Sequence, residues 1–462
     1  MRIVVFGTGQ IYREMKKYLS KHDAVVGFLD NNRLLWETQI DNITIFNPED
    51  ISRLNYDKIV LMSVHALEMR KQLLKLGCDK NDILHYLEYI DLQSCGELHF
   101  LFPTNKKDVD YKKRSLIITT VLGYDGGSIA AIYAALALQK KGYDAVIAAP
   151  EGNAIFIDEI RKRGISVILY KNLTYAKERE LFRVNIFDDV LVNTFQMSSC
   201  AIELAKRRKV ILWIHEPRIC YQWMEYWVEE IQKNITQKNL KVYAVCSIAR
   251  ENFLEKISMK SIGILPYGIP DEPVKEEYRG NQFTFAMVGL ISDRKGQDIF
   301  GRAIEKMKEK KETCTFLVIG KNSQDTCGKI IEEQAKKDSK MQLLGELPHE
   351  EVMKYWCDID VLVVASREDM LPIVATEAMM SGKVCILSEI IGTAEYIQEG
   401  YSGLTFAAEN SDELAEKMIW CVEHKSMLKR MGESSRKVYD KYFSMEVFGD
   451  RLEAVLSEEE SA

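Results

Sequence analysis

The sequence predicts an α/β protein of doubly wound parallel sheets. Three observations carry that expectation. Short apolar runs alternate with helical stretches along the whole chain, the pattern of parallel strands covered by helices. At 462 residues the chain is too long for one hydrophobic core. The runs also fall into three blocks, and the second and third are similar in size and joined by one linker. Two such halves leave a cleft between the carboxyl ends of their strands, the edge where open α/β sheets bind ligands.

The first block, residues 1–102, contains "RIVVFG", "AVVGFLD", "ITIF", "KIVLMSV" and "DILHY". A basic connector, 103–114, follows. The second block, 115–272, runs through "SLIITTV", "DAVIAAP", "SVILY", "DVLVNT", "KVILWIH", "KVYAVCS" and "SIGILPYG". A charged segment, "DEPVKEEYRGNQ", leads into the third block, 273–442, with "FTFAMVGL", "CTFLVIG", "MQLLGEL", "VLVVAS", "KVCILS" and "GLTF". Residues 443–462 read as a closing helix and tail.

Bulk composition excludes several classes. A formal charge of −7 argues against a general nucleic-acid binder. No apolar run reaches the ~18 residues of a membrane span. The start "MRIVVFGTGQ" enters a strand pattern directly, without a signal peptide. The ten cysteines show neither CxxC pairs nor metal spacing, and buried free thiols in a reducing cytoplasm account for them. In "CYQWMEYWVEEIQ", Trp223, Trp227 and Ile231 fall on one helical face, which predicts core or interface rather than an acceptor platform or membrane contact.

The chemistry concentrates in "SREDMLPIVATEAM". "VLVVAS" reads as a buried strand and "SRED" as the loop at its carboxyl end. Pro372 suits a first helical turn, so a helix is expected from near Leu371 to about Ser381, closed by Gly382. Asp369 then stands in N-cap territory. The free N–H groups of Leu371, Ile373 and Val374, at the positive end of the helix dipole, suit a phosphate or a sugar hydroxyl. Glu377 lies among Ala375, Ala378 and Met379, with few protein partners in sight, and is costly to bury alone. Two vicinal hydroxyls, such as those of a ribose, would satisfy it. The alternative is that Asp369 merely caps the helix and Glu377 faces solvent. "VGLISDRKGQDIF" adds Arg294 and Lys295 beside Gly296 and a helix start, which describes a pyrophosphate site.

These segments, with "LLGELPHEEVMKYWCDIDVLVVASREDMLPIVATEAMMSGK" and "EIIGTAEYIQEGYSGLTF", resemble the retaining glycosyltransferases of family four, which have the GT-B architecture of two Rossmann-like halves. The resemblance covers residues 115–457. It implies that Glu377 holds the donor ribose and Asp369 contacts the transferred sugar. Met370, Leu371, Pro372 and Ile373 would offer backbone to sugar and phosphates, and Lys295 would stabilise the leaving diphosphate. In the second block it implies that Gly126 and Gly127 form a glycine-rich ligand loop and that His215 reaches the donor sugar. The chain departs from the family in three places. Asp369 replaces the commoner Glu, Leu290 stands where many relatives carry arginine, and Met370–Leu371 replaces Gly-Phe.

The front block resembles the small Rossmann-like domains attached to sugar-modifying and sugar-transferring enzymes. Gly7, Gly9 and Asp30 would form its nucleotide turn, but Tyr12 replaces the third glycine. The reading is therefore a retaining, metal-independent glycosyltransferase that needs no cofactor beyond its nucleoside diphosphate sugar donor. The resemblance implies a glycan, lipid-linked or protein acceptor and a role in surface glycan or polysaccharide assembly. It would work in the cytoplasm, with peripheral membrane contact and an oligomer both open. The alternative is a non-catalytic partner or nucleotide-sugar sensor built on a degenerate transferase. An oxidoreductase centred on the front block fits poorly, because that block has no room for a substrate domain.

Overall fold

The structure is a computed structural model that describes residues 1–93, 98–104, 110–174, 182–260, 262–272 and 282–458. Among these residues the strands form three sheets. In the first, Arg2–Phe6 lies centrally between Ala24–Leu29 and Lys58–Leu61, with Ile83–His85 outside the latter. All of these pair in parallel, and only the short hairpin of Gln39–Ile40 with Ile43–Phe46 is antiparallel. The third sheet is parallel throughout and places Phe283–Val288 beside Val361–Val364, the point where strand order reverses. Ligands gather at such a reversal.

The second sheet has eight strands and one feature the sequence reading misplaces. Leu98–Leu101, assigned above to the front block, pairs antiparallel with Ser166–Tyr170 and forms the edge of the second sheet. "LHFL" gives no local sign of which sheet it joins, because edge pairing is decided by tertiary contact. Of the expected connector, residues 105–109 lie outside the described residues, and its end, Lys113 and Arg114, already belongs to the strand Lys113–Ile118 of the second sheet; the charged segment before the third block lies largely outside the described residues.

The halves are tied by the end of the chain. Met445–Ser457 packs along Gly126–Lys140 in the second block. Phe448 stacks on Trp213 at 5.6 Å, Lys141 pairs with Asp450, and the Tyr143 hydroxyl donates to Glu453 at 3.0 Å. Lys209 Nζ donates to the last helical carbonyls, those of Val455 at 3.0 Å and Leu456 at 2.9 Å, where a cation complements the helix dipole.

The aromatic stripe resolves differently from the expectation. The helical run breaks at Met224 into Arg218–Trp223 and Glu225–Asn234. Trp227 is 8% exposed and Ile231 is buried, whereas Trp223 is 71% exposed, because the break turns it out of the shared face. Trp227 docks the front block. Its ring, with Tyr86 and Tyr226, boxes His85 at centroid distances of 4.4–5.0 Å, and burial pushes that imidazole down to about 3. Trp227 Nε1 donates to Glu88 at 3.2 Å, and Lys71 pairs with Glu229 at 2.8 Å. No helix among the described residues is long and apolar enough to cross a membrane.

Removing the Trp227 ring leaves a cavity at this joint. Trp227→Ala is expected to destabilise the protein by about 3–5 kcal/mol in chemical denaturation. It should also release the front block early in limited proteolysis.

Candidate active site

The site grows from two adjacent strand ends of the third sheet. After Phe283–Val288 the chain makes a short 3-10 turn, Asp293–Lys295, and enters Gln297–Lys306. Gly296 joins them in the left-handed region at φ +72°, and a Cβ there would lie 2.1 Å from the Ala365 carbonyl oxygen. Only glycine lets this turn sit against the neighbouring strand end. The turn is thereby held against the loop that leaves Val361–Val364.

That loop runs to a helix that starts later than expected. Pro372 is the N-cap, with extended backbone at ψ 121°, and the helix is Ile373–Met380. Asp369 lies outside capping range and does not cap. Its carboxylate pairs instead with Lys295 Nζ, both side chains being largely buried. Arg294, on the same turn, donates to the Glu368 carbonyl oxygen at 2.8 Å. The two cations thus share a loop but engage different partners. Arg294 lines a cleft cavity of about 830 Å³ with Met370 and Arg367 from its own half and Arg218, Asn252 and Glu255 from the other.

Glu377 is 6% exposed, so the solvent-facing alternative fails. It also has a protein partner the sequence reading missed. His349 Nε2 lies 2.8 Å from Glu377 Oε1. His349 opens the helix His349–Tyr355 in "LPHEEV", 28 positions away, and no local spacing links the two. The hydrogen bond to Glu377 holds the imidazole pKa above its ordinary value, against the opposing effect of burial.

In the second block, Gly126 begins the helix Gly126–Lys140, whose N-cap Asp125 accepts from Ser128 N at 3.0 Å. A Cβ on Gly126 would face open space, whereas Gly127 packs near Thr194 and its carbonyl oxygen accepts from Asn193 Nδ2 at 2.9 Å. His215 ends the strand Val210–Ile214 beside Trp213, edge to face at 4.4 Å. Burial pushes its imidazole down to about 3, so the ring is neutral near pH 7 and is a hydrogen-bonding group rather than a cation. Its Nε2 has no partner among the described residues. The neighbouring Glu216 accepts from Phe195 N at 2.6 Å and His215 N at 2.8 Å and pins the two strand ends together.

The halves meet at the acid-bearing loop. Cys246 Sγ donates to the Met370 carbonyl oxygen at 3.1 Å, and the Tyr267 hydroxyl donates to that of Leu371. Gly392 lies under this contact, where a Cβ would fall 1.8 Å from Met370 O and 2.5 Å from Cys246 Sγ.

In the front block the Asp30 carboxylate accepts from Thr8 N at 3.1 Å, Thr8 Oγ1 at 2.6 Å and Asn32 N at 2.9 Å. Gly7 turns at φ +103° against Met62 O, and Gly9 is open. Tyr12, in place of the third glycine, is buried edge to face with Phe28 at 5.0 Å. Asp30 therefore closes the turn on itself. Among the described residues no group of three or more His, Cys, Asp or Glu is placed to hold a metal ion.

This fold is that of the GT-B glycosyltransferases. A crystal structure of Anabaena HepE in complex with UDP and glucose superposes with a TM-score of 0.61 at 14% identity, over 75% of this chain and 100% of that one. Residues 269–438 match the family model "Glycosyl transferases group 1", and residues 1–84 match "C2185-like, N-terminal". The carboxy-terminal half is thus a group 1 glycosyltransferase domain, preceded at the front of the chain by a C2185-like domain. An uncharacterized glycosyltransferase of Methanocaldococcus jannaschii is 27% identical over 217 residues, 46% of this chain and 58% of that protein. An uncharacterized 41.2 kDa protein in the cps region of Klebsiella pneumoniae is 23% identical over 71% of this chain and 74% of its own length. The chain spans about half the length of several curated relatives it matches.

Gly392→Ala forces the Met370 loop away from Cys246. Overpacking of this kind is expected to cost about 1–3 kcal/mol, measurable as a lowered denaturation midpoint.

Proposed function

We propose that the protein transfers a sugar from a nucleoside diphosphate donor to a glycan, lipid-linked or protein acceptor, with retention at the anomeric carbon and without a metal. The observation that carries this reading is the arrangement of Lys295, Asp369 and Glu377 around the first turns of Ile373–Met380, inside the domain that matches the group 1 family. Glu377 takes the ribose hydroxyls and Asp369 takes a hydroxyl of the transferred sugar. Gly126 and Gly127 let the second half's backbone approach the ligand.

In the reaction the bond from the anomeric carbon to the diphosphate oxygen breaks as the acceptor oxygen bonds to the same face. The acceptor's proton passes to the leaving diphosphate. Lys295, Arg294 and the free N–H groups of Ile373 and Val374 stabilise the charge that develops there. Neutral His215 donates to a sugar hydroxyl without adding a charge to the cleft. The cleft orients donor and acceptor and excludes water. The UDP bound by Anabaena HepE supports a uridine donor as the first candidate, and the cps-region relative supports a polysaccharide context. The front block's closed Asp30 turn supports a structural role for that block.

A panel of UDP-, GDP-, ADP- and dTDP-sugars, followed by release of free nucleoside diphosphate, tests this. One donor is expected to be hydrolysed slowly without acceptor. Lys295→Ala and Glu377→Ala should each lose about 10²–10³-fold in turnover while unfolding at near-normal temperature. If no donor is turned over or bound, the non-catalytic partner reading replaces this one.

A further inference from the structure

Glu377 presents a physical problem that the donor alone does not solve. Its carboxylate is buried on a helix whose neighbours Ala375, Ala378, Met379 and Met380 are buried and apolar. An isolated carboxylate in such a place would bear the full cost of losing its water without a partner in exchange. His349 supplies the missing partner, and it does so from outside the helix. Its Nε2 meets Oε1 at 2.8 Å, while 46% of its side chain stays exposed. This one bond uses one lone pair of the carboxylate. The rest of Oε1 and all of Oε2 remain for two vicinal hydroxyls, in a plane the imidazole fixes.

We propose that His349 is a positioning residue for the donor ribose, fixing and charge-balancing the Glu377 carboxylate that receives its hydroxyls. The inference rests on the nucleotide-sugar reading above. Other charged or titratable groups around His349 are few. Glu272 faces it and favours the imidazolium, Arg163 opposes it, and buried Tyr133 faces Glu377 from the helix Gly126–Lys140. Glu350 and Glu351 follow on its own helix and are exposed. The Glu377 bond is the largest influence and holds the His349 pKa up. The imidazolium is therefore present below that raised value. As pH rises through it, the ion pair becomes a neutral hydrogen bond and Glu377 loses its counter-charge. Donor affinity follows the same course and falls as the proton leaves.

The test uses UDP and 2′,3′-dideoxy-UDP as probes, titrated by calorimetry into the full chain and into His349→Ala, His349→Gln and Glu377→Ala. His349→Ala should weaken UDP by about tenfold, as expected for losing a charged hydrogen-bond partner. It should leave dideoxy-UDP unchanged, because that nucleotide lacks the hydroxyls Glu377 reads. His349→Gln, a neutral donor, should stay within about threefold of the native chain. It should also lack the native chain's decline in UDP affinity as pH rises through the raised His349 pKa. Equal UDP affinity in His349→Ala and the native chain overturns the assignment, as does an equal loss for both nucleotides, which marks a structural role. In either case a Glu377→Ala variant that still loses UDP leaves the donor reading standing. A native chain that binds no nucleoside diphosphate removes that reading, and this inference with it.

Discussion

The loop from Ser366 to Pro372 is where the two halves and the chemistry become one structure. Its carbonyl oxygens at Met370 and Leu371 are buried and must find donors, because an unpaired buried carbonyl costs about 1–3 kcal/mol. Cys246 and Tyr267, both from the second block, supply them. From its own half the loop is held by Arg294, through the Glu368 carbonyl, and by Asp298, which accepts from the loop's own Arg367 guanidinium at 2.8 Å. A loop satisfied from both sides has one conformation. The position of Asp369 beside Lys295 and the entry angle of Ile373–Met380 follow from that.

The sequence revealed the parts of this arrangement that are local. Strand composition announced the three sheets. "DRKG" placed two cations just ahead of a helix start, and the close approach to the Ala365 carbonyl explains why a glycine follows them. What stayed hidden depends on contacts between distant segments. Asp369 looked like a cap because Pro372 suits a first helical turn, but the extended backbone of Pro372 pushes the helix start two residues on. Glu377 looked partnerless because His349 comes from a different helix. Trp223, Trp227 and Ile231 share helical spacing only while the helix is continuous, and the break at Met224 is not written in any glycine or proline.

The front block shows how an incomplete motif can still be a sound local structure. Thr8 supplies both an amide and a hydroxyl to Asp30, so the turn is hydrogen-bonded without a ligand. Tyr12 fills the space a third glycine would leave and adds an edge-to-face contact with Phe28. The same block ends at an aromatic box around His85 and is joined through Trp227 to a helix that directly follows the cleft-lining segment at Arg218. The front block is thus fastened to the second block through Trp227 and Glu229.

The closing helix also bears on the order in which the molecule can be built. Leu452, Val455 and Leu456 belong to the same buried core as the helix Gly126–Lys140, though more than 300 positions separate them. During synthesis the second block emerges early, yet its core lacks those side chains until nearly the whole chain has left the ribosome. The second block must wait, with Trp213 lacking its stack on Phe448 and Lys209 without the carbonyls it later caps. Its final packing is thereby coupled to synthesis of the third block, which precedes the closing helix in the chain.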